Sequence, residues 1–405
     1  MTVNIPLRRS LTLPMVVLYG LGTTIGAGIY ALIGEVARTA GMLAPLAFLL
    51  ASFMAAFTAL SFAEMACRFP RSAGEAVYVT QGLGVRWLGV VVGLLVVSAG
   101  TVSAAALVHG FVGYFGDLMP IPKVPVMVLA VLVLAAIAAW GIGESVRLAA
   151  VVTLVETGGL LLVVAFGADA LAELPNRWRE FELNGGASPW AGVMAAALLA
   201  FYAFLGFEDM VNVAEEIKDV ERILPRAIVM TLVLTTLVYF LVAIVSVLVV
   251  APMDLADAGA PLTLVYERAG GYWPSALSVV GVLAMINGAL IQLIMASRVV
   301  YGLARQGTLP MFLAAVHPKR RTPLCATALI GMLVLAAALW FPLAALAEWT
   351  SRFTLTVFAM VNLALLVIKW RRAFPAPVWA VPVWVPAIGF VVSFSFLGWG
   401  FWRWV

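Results

Sequence analysis

The chain has 405 residues, of which 64% are hydrophobic and only 11% are charged. A soluble domain carries about a quarter charged residues, so this composition excludes an ordinary soluble fold. The formal net charge of +4 is modest, and its basic residues lie in short loops, which argues against a nucleic-acid partner.

Apolar runs that are long enough to cross a bilayer recur along the whole chain. A helical crossing needs about 20 residues, and backbone groups in lipid must pair internally, so each run predicts a helix. We predict an all-α membrane protein with about eleven spans and no cofactor. The predicted spans are centred near Gly22, Met54, Leu95, Val133, Leu162, Phe201, Leu237, Ile286, Val334, Phe358 and Val391.

The first run contains a cluster of glycines at Gly20, Gly22, Gly26 and Gly28. Glycine weakens a helix and lets other groups approach the backbone. An unwound segment here would expose amides at a half-helix N-terminus, which attract a carboxylate, and carbonyls, which attract an ammonium group. The cluster therefore fits a site for an α-amino acid, although the same glycines would also permit close helix packing in lipid.

The sixth run has a second interruption, where Gly206 is followed by Glu208 and Asp209. An acidic group at the middle of a membrane costs roughly 2.5 to 3.5 kcal/mol, so it is expected to face a cavity or a partner. We predict Glu208 as a site residue. The alternative is a structural carboxylate that bonds to the backbone at the helix break.

The positions of lysine and arginine predict the orientation. Most of them fall in alternate loops, which by the positive-inside rule places the N-terminus in the cytoplasm and the C-terminus outside. Five spans followed by five that enter from the opposite side predict an inverted repeat within one transmembrane domain, residues 1–405. The repeats would cover about 10–170 and about 188–372, with a peripheral extra span at about 378–405.

Several sequence motifs, each weak alone, together form a pattern that is specific for one protein family. They read GTTIGAGIY in the first span, FAEMACRFPRSAGEAVYV after the second, GFEDMVNVAEEIKDVERILPRAI through the sixth, and SRVVYGLARQGTLP with HPKRRTP after the eighth. The chain resembles the amino acid–polyamine–organocation superfamily, specifically its bacterial amino acid permeases. This resemblance implies a fold of five-plus-five inverted repeats, alternating access, and a substrate site between the two breaks.

The resemblance also implies which residues contact the substrate. At the first break they are Thr23, Thr24, Gly26, Ala27 and Gly28. At the second break they are Tyr202, Ala203, Phe204, Leu205 and Gly206. Tyr202 falls where the family often has an aromatic gate, Ala203 and Leu205 would offer carbonyls, and the rings of Tyr202 and Phe204 would cover the substrate. A compact pocket of this kind favours neutral amino acids.

One position departs from the family pattern. Proton-coupled relatives place a lysine in the fifth span near the first and eighth spans, and this chain has Glu156 there. The lysine-based scheme therefore cannot be transferred. Desolvation favours the protonated form of a buried carboxyl, so we predict that Glu156 carries the coupling proton. The alternatives are a sodium ligand and a structural carboxyl that stays protonated.

Together these features predict a secondary active amino acid transporter in a bacterial cytoplasmic membrane, coupled to protons. Sodium coupling, exchange and transport of amines remain alternatives, as does a sensor that binds amino acids without transporting them. An enzyme is not expected, because no nucleophile, base and orienting group occur together. No metal site is expected either. The expected partners are the amino acid, protons or sodium ions, and lipid, with no particular oligomeric state predicted.

Overall fold

The computed structural model describes residues 11–25, 28–70, 74–119, 121–140, 145–182, 187–305, 307–317, 322–372 and 374–402. Within these ranges the chain is mainly helical, and its β pairing is limited to one bridge between Leu11 and Ile217. The all-α class predicted from the sequence is confirmed. Gly26 and Ala27, two of the predicted site residues, lie outside the described residues.

Sixteen α-helices make up most of the described chain. Those of the first half are α1 Leu13–Ile25, α2 Gly28–Ala40, α3 Ala44–Arg68, α4 Gly74–Leu83, α5 Arg86–Leu118, α6 Lys123–Trp140, α7 Ser145–Phe166 and α8 Leu174–Arg177. Those of the second half are α9 Ala187–Ala203, α10 Val220–Val249, α11 Pro252–Asp257, α12 Pro261–Arg268, α13 Pro274–Arg305, α14 Leu324–Trp340, α15 Leu343–Arg371 and α16 Trp384–Trp402. Short 3-10 segments are Gly41–Leu43, Ala168–Glu173, Trp178–Phe181, Glu208–Glu216 and Met311–Ala314.

The apolar helices make this a multi-pass membrane protein. Among the described residues, 6 helical stretches are long and apolar enough to cross a membrane, or 7 if one bent pair counts as a single span. Three further apolar helices, within α6, α14 and α16, are shorter. Each predicted span centre lies inside a helix. Because three of those helices are short, the total of about eleven spans stays a prediction.

The helices that flank the two interruptions pack against each other. α2 lies along α9, and α1 lies along α10. The longest helices of the two halves, α5 and α13, form an extensive contact, and α15 also packs on α5. The candidate site lies among these seven helices.

The last helix, α16, packs on α3 and α15. At this contact Gly389 faces the side chain of Asn362, which is fully buried and donates a hydrogen bond of 2.9 Å to Thr58 Oγ1. Glycine at this position lets α16 approach α15 closely. α16 is therefore joined to the bundle at a face that lies away from the interior between α5 and α13.

A buried ion network ties the segment before α16 to the helix ends. Glu64 accepts hydrogen bonds from Arg68 at 2.6 Å, from Lys369 at 2.7 Å and from the Val381 amide at 2.7 Å. The side chain of Glu64 is fully buried, and those of Arg68 and Lys369 are 6% and 9% exposed. Arg68 also donates to the Pro375 carbonyl at 2.9 Å. One carboxylate therefore holds α3, α15 and the connection to α16 together.

Glu64→Ala is expected to destabilise the folded protein strongly. The substitution leaves two buried cations without their partner, which costs about 3 to 5 kcal/mol in comparable sites. Thermal unfolding of the purified protein in detergent would measure the loss. Arg222→Ala is the matched control, since its pair with Asp219 is 3.9 Å long and exposed, and such pairs contribute about 0 to 1 kcal/mol. Equal unfolding temperatures for the two variants would contradict the expectation.

Candidate functional site

The first predicted break, at Gly26 and Ala27, lies outside the described residues, and the residues on either side of it pack against the observed interruption of the sixth span. α1 ends at Ile25 and α2 begins at Gly28, whereas α9 ends at Ala203 and helical structure resumes at Glu208. A Cβ atom built on Gly28 would overlap the backbone of Ala203. The start of α2 can approach the end of α9 this closely only because Gly28 has no side chain.

Gly206 is the second position that requires glycine. Its φ angle is +124°, which side chains rarely tolerate. A Cβ atom there would also overlap the Thr23 carbonyl and lie 2.9 Å from the Thr24 amide nitrogen. The Thr23 hydroxyl lies 2.9 Å from the carbonyl oxygens of both Gly206 and Gly20, and the two carbonyls share its single hydrogen. The interrupted part of the sixth span is thereby joined to the first.

Tyr239 of α10 joins the same two segments from behind. Its hydroxyl lies 2.7 Å from the Thr24 carbonyl and 2.9 Å from the Ala203 carbonyl, and the residue is fully buried. Its ring packs edge-on against Phe204, with ring centroids 5.1 Å apart. A phenol that bridges both carbonyls holds α1 beside the end of α9.

Tyr239→Phe is expected to loosen this junction. The substitution keeps the ring packing but removes the bridging hydroxyl, and leaving buried acceptors unsatisfied costs about 1 to 3 kcal/mol. We expect a lower unfolding temperature and reduced amino acid uptake in reconstituted vesicles. Tyr301→Phe is the control, because Tyr301 only accepts a bond of 3.2 Å from Arg305 at an exposed position. Matching stability and uptake for the two variants would refute the bridging role.

A cavity lies between the first predicted span and the interruption of the sixth, and we call it the central cavity. Its free space, counted together with the part that is open to solvent, is about 380 Å³. It is lined by Thr23, Thr24, Gly28, Ser103, Leu107, Tyr202, Leu205, Gly288, Ile291 and Gln292. The Thr24 hydroxyl is buried there without a hydrogen-bond partner in the described structure. An unsatisfied hydroxyl in a cavity is costly unless a bound molecule supplies its partner, so the cavity is suited to a polar ligand.

The lining of the central cavity carries no charged side chain among the residues named above. Tyr202 lies on one wall and its hydroxyl is 3.1 Å from Ser103 Oγ. This contact links α9 to α5 across the cavity. A charged ligand in this cavity would therefore have its charged groups bound by backbone amides and carbonyls at the helix ends, and not by charged side chains.

A second cavity adjoins the first, and we call it the acidic cavity. It shares Ser103, Leu205 and Gln292 with the central cavity. Its own lining consists of Glu75, Val96, Ala99, Gly100, Glu208, Asp209, Met295, Thr350, Thr354, Val357 and Phe358. On α5 and α13 it lies toward the first residues of α5 and the last residues of α13, which is the side predicted to be cytoplasmic.

Glu208 lines the acidic cavity and also bonds to the break. Its Oε2 atom accepts a hydrogen bond of 2.8 Å from the Gly206 amide. Glu208 therefore satisfies an amide that the interrupted helix leaves free. The contact matches the structural alternative considered for this residue, while its position in the cavity wall matches the site prediction.

Glu156 lies behind the central cavity and does not line it. The residue is fully buried, its Oε1 atom accepts a 3.2 Å hydrogen bond from Asn287 of α13, and its Oε2 atom has no partner in the described structure. The Tyr30 hydroxyl of α2 donates to the Glu156 carbonyl at 2.8 Å. Glu156 on α7 is thus held between the first and eighth predicted spans.

The structure separates the predicted site residues into two groups. Thr23, Thr24, Gly28, Tyr202 and Leu205 line the central cavity. The other described residues lie around it: Ala203 and Gly206 in backbone contacts, Phe204 in the core against Tyr239, Glu208 in the acidic cavity, and Glu156 against α13.

Three residues that contribute to the site were missed from the sequence. Ser103 and Gln292 are polar residues inside long apolar helices, and polar groups are expensive there, so their rarity was an available signal. Tyr239 gave no such signal, because an aromatic residue in an apolar run usually serves packing.

A cavity between the first and sixth predicted spans of an apolar helical bundle is typical of membrane transport proteins, which is the general class of this molecule. The family model described as "Amino acid permease" matches residues 11–403. The chain belongs to this family. Membership confirms the resemblance predicted from the sequence, and it places the chain among permeases rather than enzymes.

Relatives of several kinds share this similarity. The branched-chain amino acid permease BcaP of Bacillus subtilis is 29% identical over 423 residues, which cover 97% of this chain and 89% of that protein. An uncharacterized transporter of Mycobacterium tuberculosis is 35% identical over 374 residues, 91% of this chain and 82% of the relative. The vacuolar cationic amino acid transporter 4 of Arabidopsis thaliana is 30% identical over 389 residues, 90% of this chain. The chain spans only 64% of the length of that plant protein.

Proposed function

We propose that this protein is a secondary active transporter of amino acids that works by alternating access. The observation that carries the proposal is the central cavity, where the start of α2 and the end of α9 meet beside the unpartnered Thr24 hydroxyl. In a member of the amino acid permease family, such a cavity is the natural place for the substrate.

The two ends of an α-amino acid match the two kinds of helix end at this cavity. α2 begins at Gly28, and the positive end of its dipole can hold the carboxylate, with the Thr24 hydroxyl as an additional donor. Carbonyl groups beyond the end of α9, such as that of Leu205, can accept from the ammonium group. Tyr202 stands beside this position as an aromatic gate. Phe204 faces Tyr239, so it acts through the shape of the break and not by covering the ligand.

A neutral amino acid is the proposed substrate, because the central cavity is lined by apolar and uncharged polar side chains. The name of the Bacillus subtilis relative, a branched-chain amino acid permease, agrees with a neutral side chain. A cationic amino acid is the second candidate. The adjoining acidic cavity could receive a positive side chain, and the Arabidopsis thaliana relative is named as a cationic amino acid transporter.

Proton symport is the proposed coupling, with Glu156 as the carrier. A carboxyl that is fully buried and has one free oxygen can accept a proton without disturbing its bond to Asn287. Sodium coupling would use the same oxygen as a ligand, together with backbone carbonyls. Exchange without an ion remains the third possibility. A sensor would bind the amino acid at the same cavity and carry no flux.

The proposed setting is a bacterial cytoplasmic membrane with the N-terminus inside and the C-terminus outside. The proposed scaffold is the inverted repeat, with residues of about 10–170 and about 188–372 as its halves and α16 as an addition. The packing of α2 on α9 and of α1 on α10 supports this arrangement, since each break is held by the other half of the chain.

Counterflow in proteoliposomes tests the substrate assignment without assuming a coupling ion. Vesicles are loaded with one unlabelled amino acid from a neutral and cationic panel, and entry of a trace of the same amino acid in radiolabelled form is followed against the other members of the panel as competitors. Competition by leucine, isoleucine and valine supports the neutral assignment. Competition by lysine and arginine alone supports the cationic candidate, and the absence of counterflow for the whole panel rejects amino acid transport.

A further inference from the structure

Gln292 lies on the boundary between the two cavities. It is one of three residues that line both, together with Ser103 and Leu205. It stands on α13, and its carboxamide nitrogen donates a 3.1 Å hydrogen bond to Asp209 Oδ2. A hydrogen bond between α13 and the segment after α9 therefore lies at the boundary between the central cavity and the acidic cavity.

Asp209, the partner of Gln292, forms no ion pair with any residue that the structure describes. None of the ion pairs within the described ranges includes Asp209, Glu208 or Glu75, although all three carboxyl groups line the acidic cavity. Asp209 is 3% exposed, so its oxygens depend on protein donors. The carboxamide of Gln292 is the side chain that supplies one, and it fixes the carboxyl group at the cavity wall.

The opposite side of the boundary is closely packed against Gln292. A Cβ atom on Gly100 of α5 would lie 3.2 Å from Gln292 Oε1 and 2.8 Å from the terminal methyl group of Met295. The Ser103 to Tyr202 contact of 3.1 Å lies beside it. The boundary thus consists of two polar links, one from α13 and one from α5, that both end on the interrupted sixth span.

We propose that Gln292 is a positioning residue of the transport cycle, which closes the central cavity toward the acidic cavity through its hydrogen bond to Asp209. Breaking this bond opens the route by which substrate leaves on the side of the acidic cavity. The inference rests on the proposed function, because it assumes that a substrate occupies the central cavity. The closure between the two cavities does not depend on that assumption and can be measured separately.

Cysteine accessibility tests the closure directly. Leu107 lines the central cavity and not the acidic cavity, so a cysteine at this position reports access to the central cavity. Leu107→Cys is made in a Cys325→Ala background, which removes the exposed native cysteine. The Cys325→Ala protein without Leu107→Cys measures the labelling of the buried Cys67. A membrane-impermeant thiol reagent is applied to each face of sealed vesicles. We expect Gln292→Ala to increase the rate of Leu107→Cys labelling about tenfold when the reagent is applied to the membrane face nearest α4, on the side of the acidic cavity. A tenfold change corresponds to the loss of one hydrogen bond worth about 1.4 kcal/mol. Labelling from the other face should not change.

Matched variants separate the hydrogen bond from a general loosening. Met295→Ala removes volume from the same helix but lines only the acidic cavity, so labelling should stay at the reference rate. Asp209→Asn keeps an acceptor for the carboxamide and should preserve the closure, whereas Asp209→Ala should reproduce the effect of Gln292→Ala. Equal labelling of Gln292→Ala and Met295→Ala, with both proteins folded, overturns the proposal.

A flux measurement on the same vesicles distinguishes this inference from the proposed function. Gln292→Ala should raise KM for uptake more than it lowers kcat, because the open route weakens retention of substrate. Changed labelling without flux in any variant would retain the closure and reject transport. Normal flux with unchanged labelling and unchanged KM would retain transport and reject the role of Gln292.

Discussion

Gly206→Ala is expected to abolish amino acid uptake. The new methyl group would overlap the Thr23 carbonyl, and the φ angle of +124° is a conformation in which a side chain costs about 1 to 3 kcal/mol. The clash separates α1 from the segment after α9 at the wall of the central cavity. Uptake of radiolabelled leucine into proteoliposomes would measure the loss, and size-exclusion chromatography would show whether the protein still folds.

Gly307→Ala is the matched control for this substitution. Gly307 has a φ angle of +75°, but apart from the glycine and its two chain neighbours no atom of the described residues lies within 4 Å of the position that a Cβ would take. This variant carries only the backbone cost of about 1 to 2 kcal/mol and should retain most of its uptake. Equal uptake by the two alanine variants would show that the close contact with Thr23 is unimportant.

Glu156→Gln is expected to remove uptake driven by a proton gradient while leaving exchange intact. Glutamine has the shape of a protonated glutamate and can keep the contact with Asn287, but it cannot bind or release a proton. Concentrative uptake with an inward proton gradient should therefore fall to the level seen without a gradient. Exchange of labelled for unlabelled substrate at constant pH is the measurement that should survive.

The same variant distinguishes the three interpretations of Glu156. A sodium ligand would make wild-type uptake depend on sodium, and Glu156→Gln would raise the sodium concentration required. A structural carboxyl would leave proton-driven uptake unchanged in the variant. Glu35→Gln is the control, since this carboxyl is 35% exposed and pairs with Arg38 at 3.5 Å. Loss of proton-driven uptake in Glu35→Gln as well would show that the assay reports general damage.

The sequence was sufficient to predict the class of fold and the interruption of the sixth span at Gly206, whereas the predicted interruption at Gly26 and Ala27 lies outside the described residues and stays a prediction. The glycines around Gly28 and Gly206 carried this information, because glycine marks places where a backbone needs unusual angles or close neighbours. Apolar length also located a helix at every predicted span centre. The number of crossings is less accessible, because α6, α14 and α16 are shorter than the other apolar helices.

The contacts between distant segments could not be predicted from one sequence. Thr23 bonds to Gly206 across 183 positions, and Tyr239 bonds to Thr24 across 215 positions. Neither pairing leaves a local pattern. The direction of Phe204 was equally hidden, because α9 ends at Ala203 and helical spacing no longer determines where the next side chains point. The geometry of the candidate site therefore depends on contacts between residues far apart in the sequence, and not on the conformational preferences of neighbouring residues.

The most direct test of the central claim is uptake of labelled leucine by the purified wild-type protein in proteoliposomes, under an inward proton gradient, an inward sodium gradient or no gradient. The proposed transporter should accumulate leucine above the external concentration with the proton gradient alone. Labelled lysine should not accumulate under the same conditions. Saturable binding of amino acids to the purified protein without flux under any of the three conditions would contradict transport and identify a sensor.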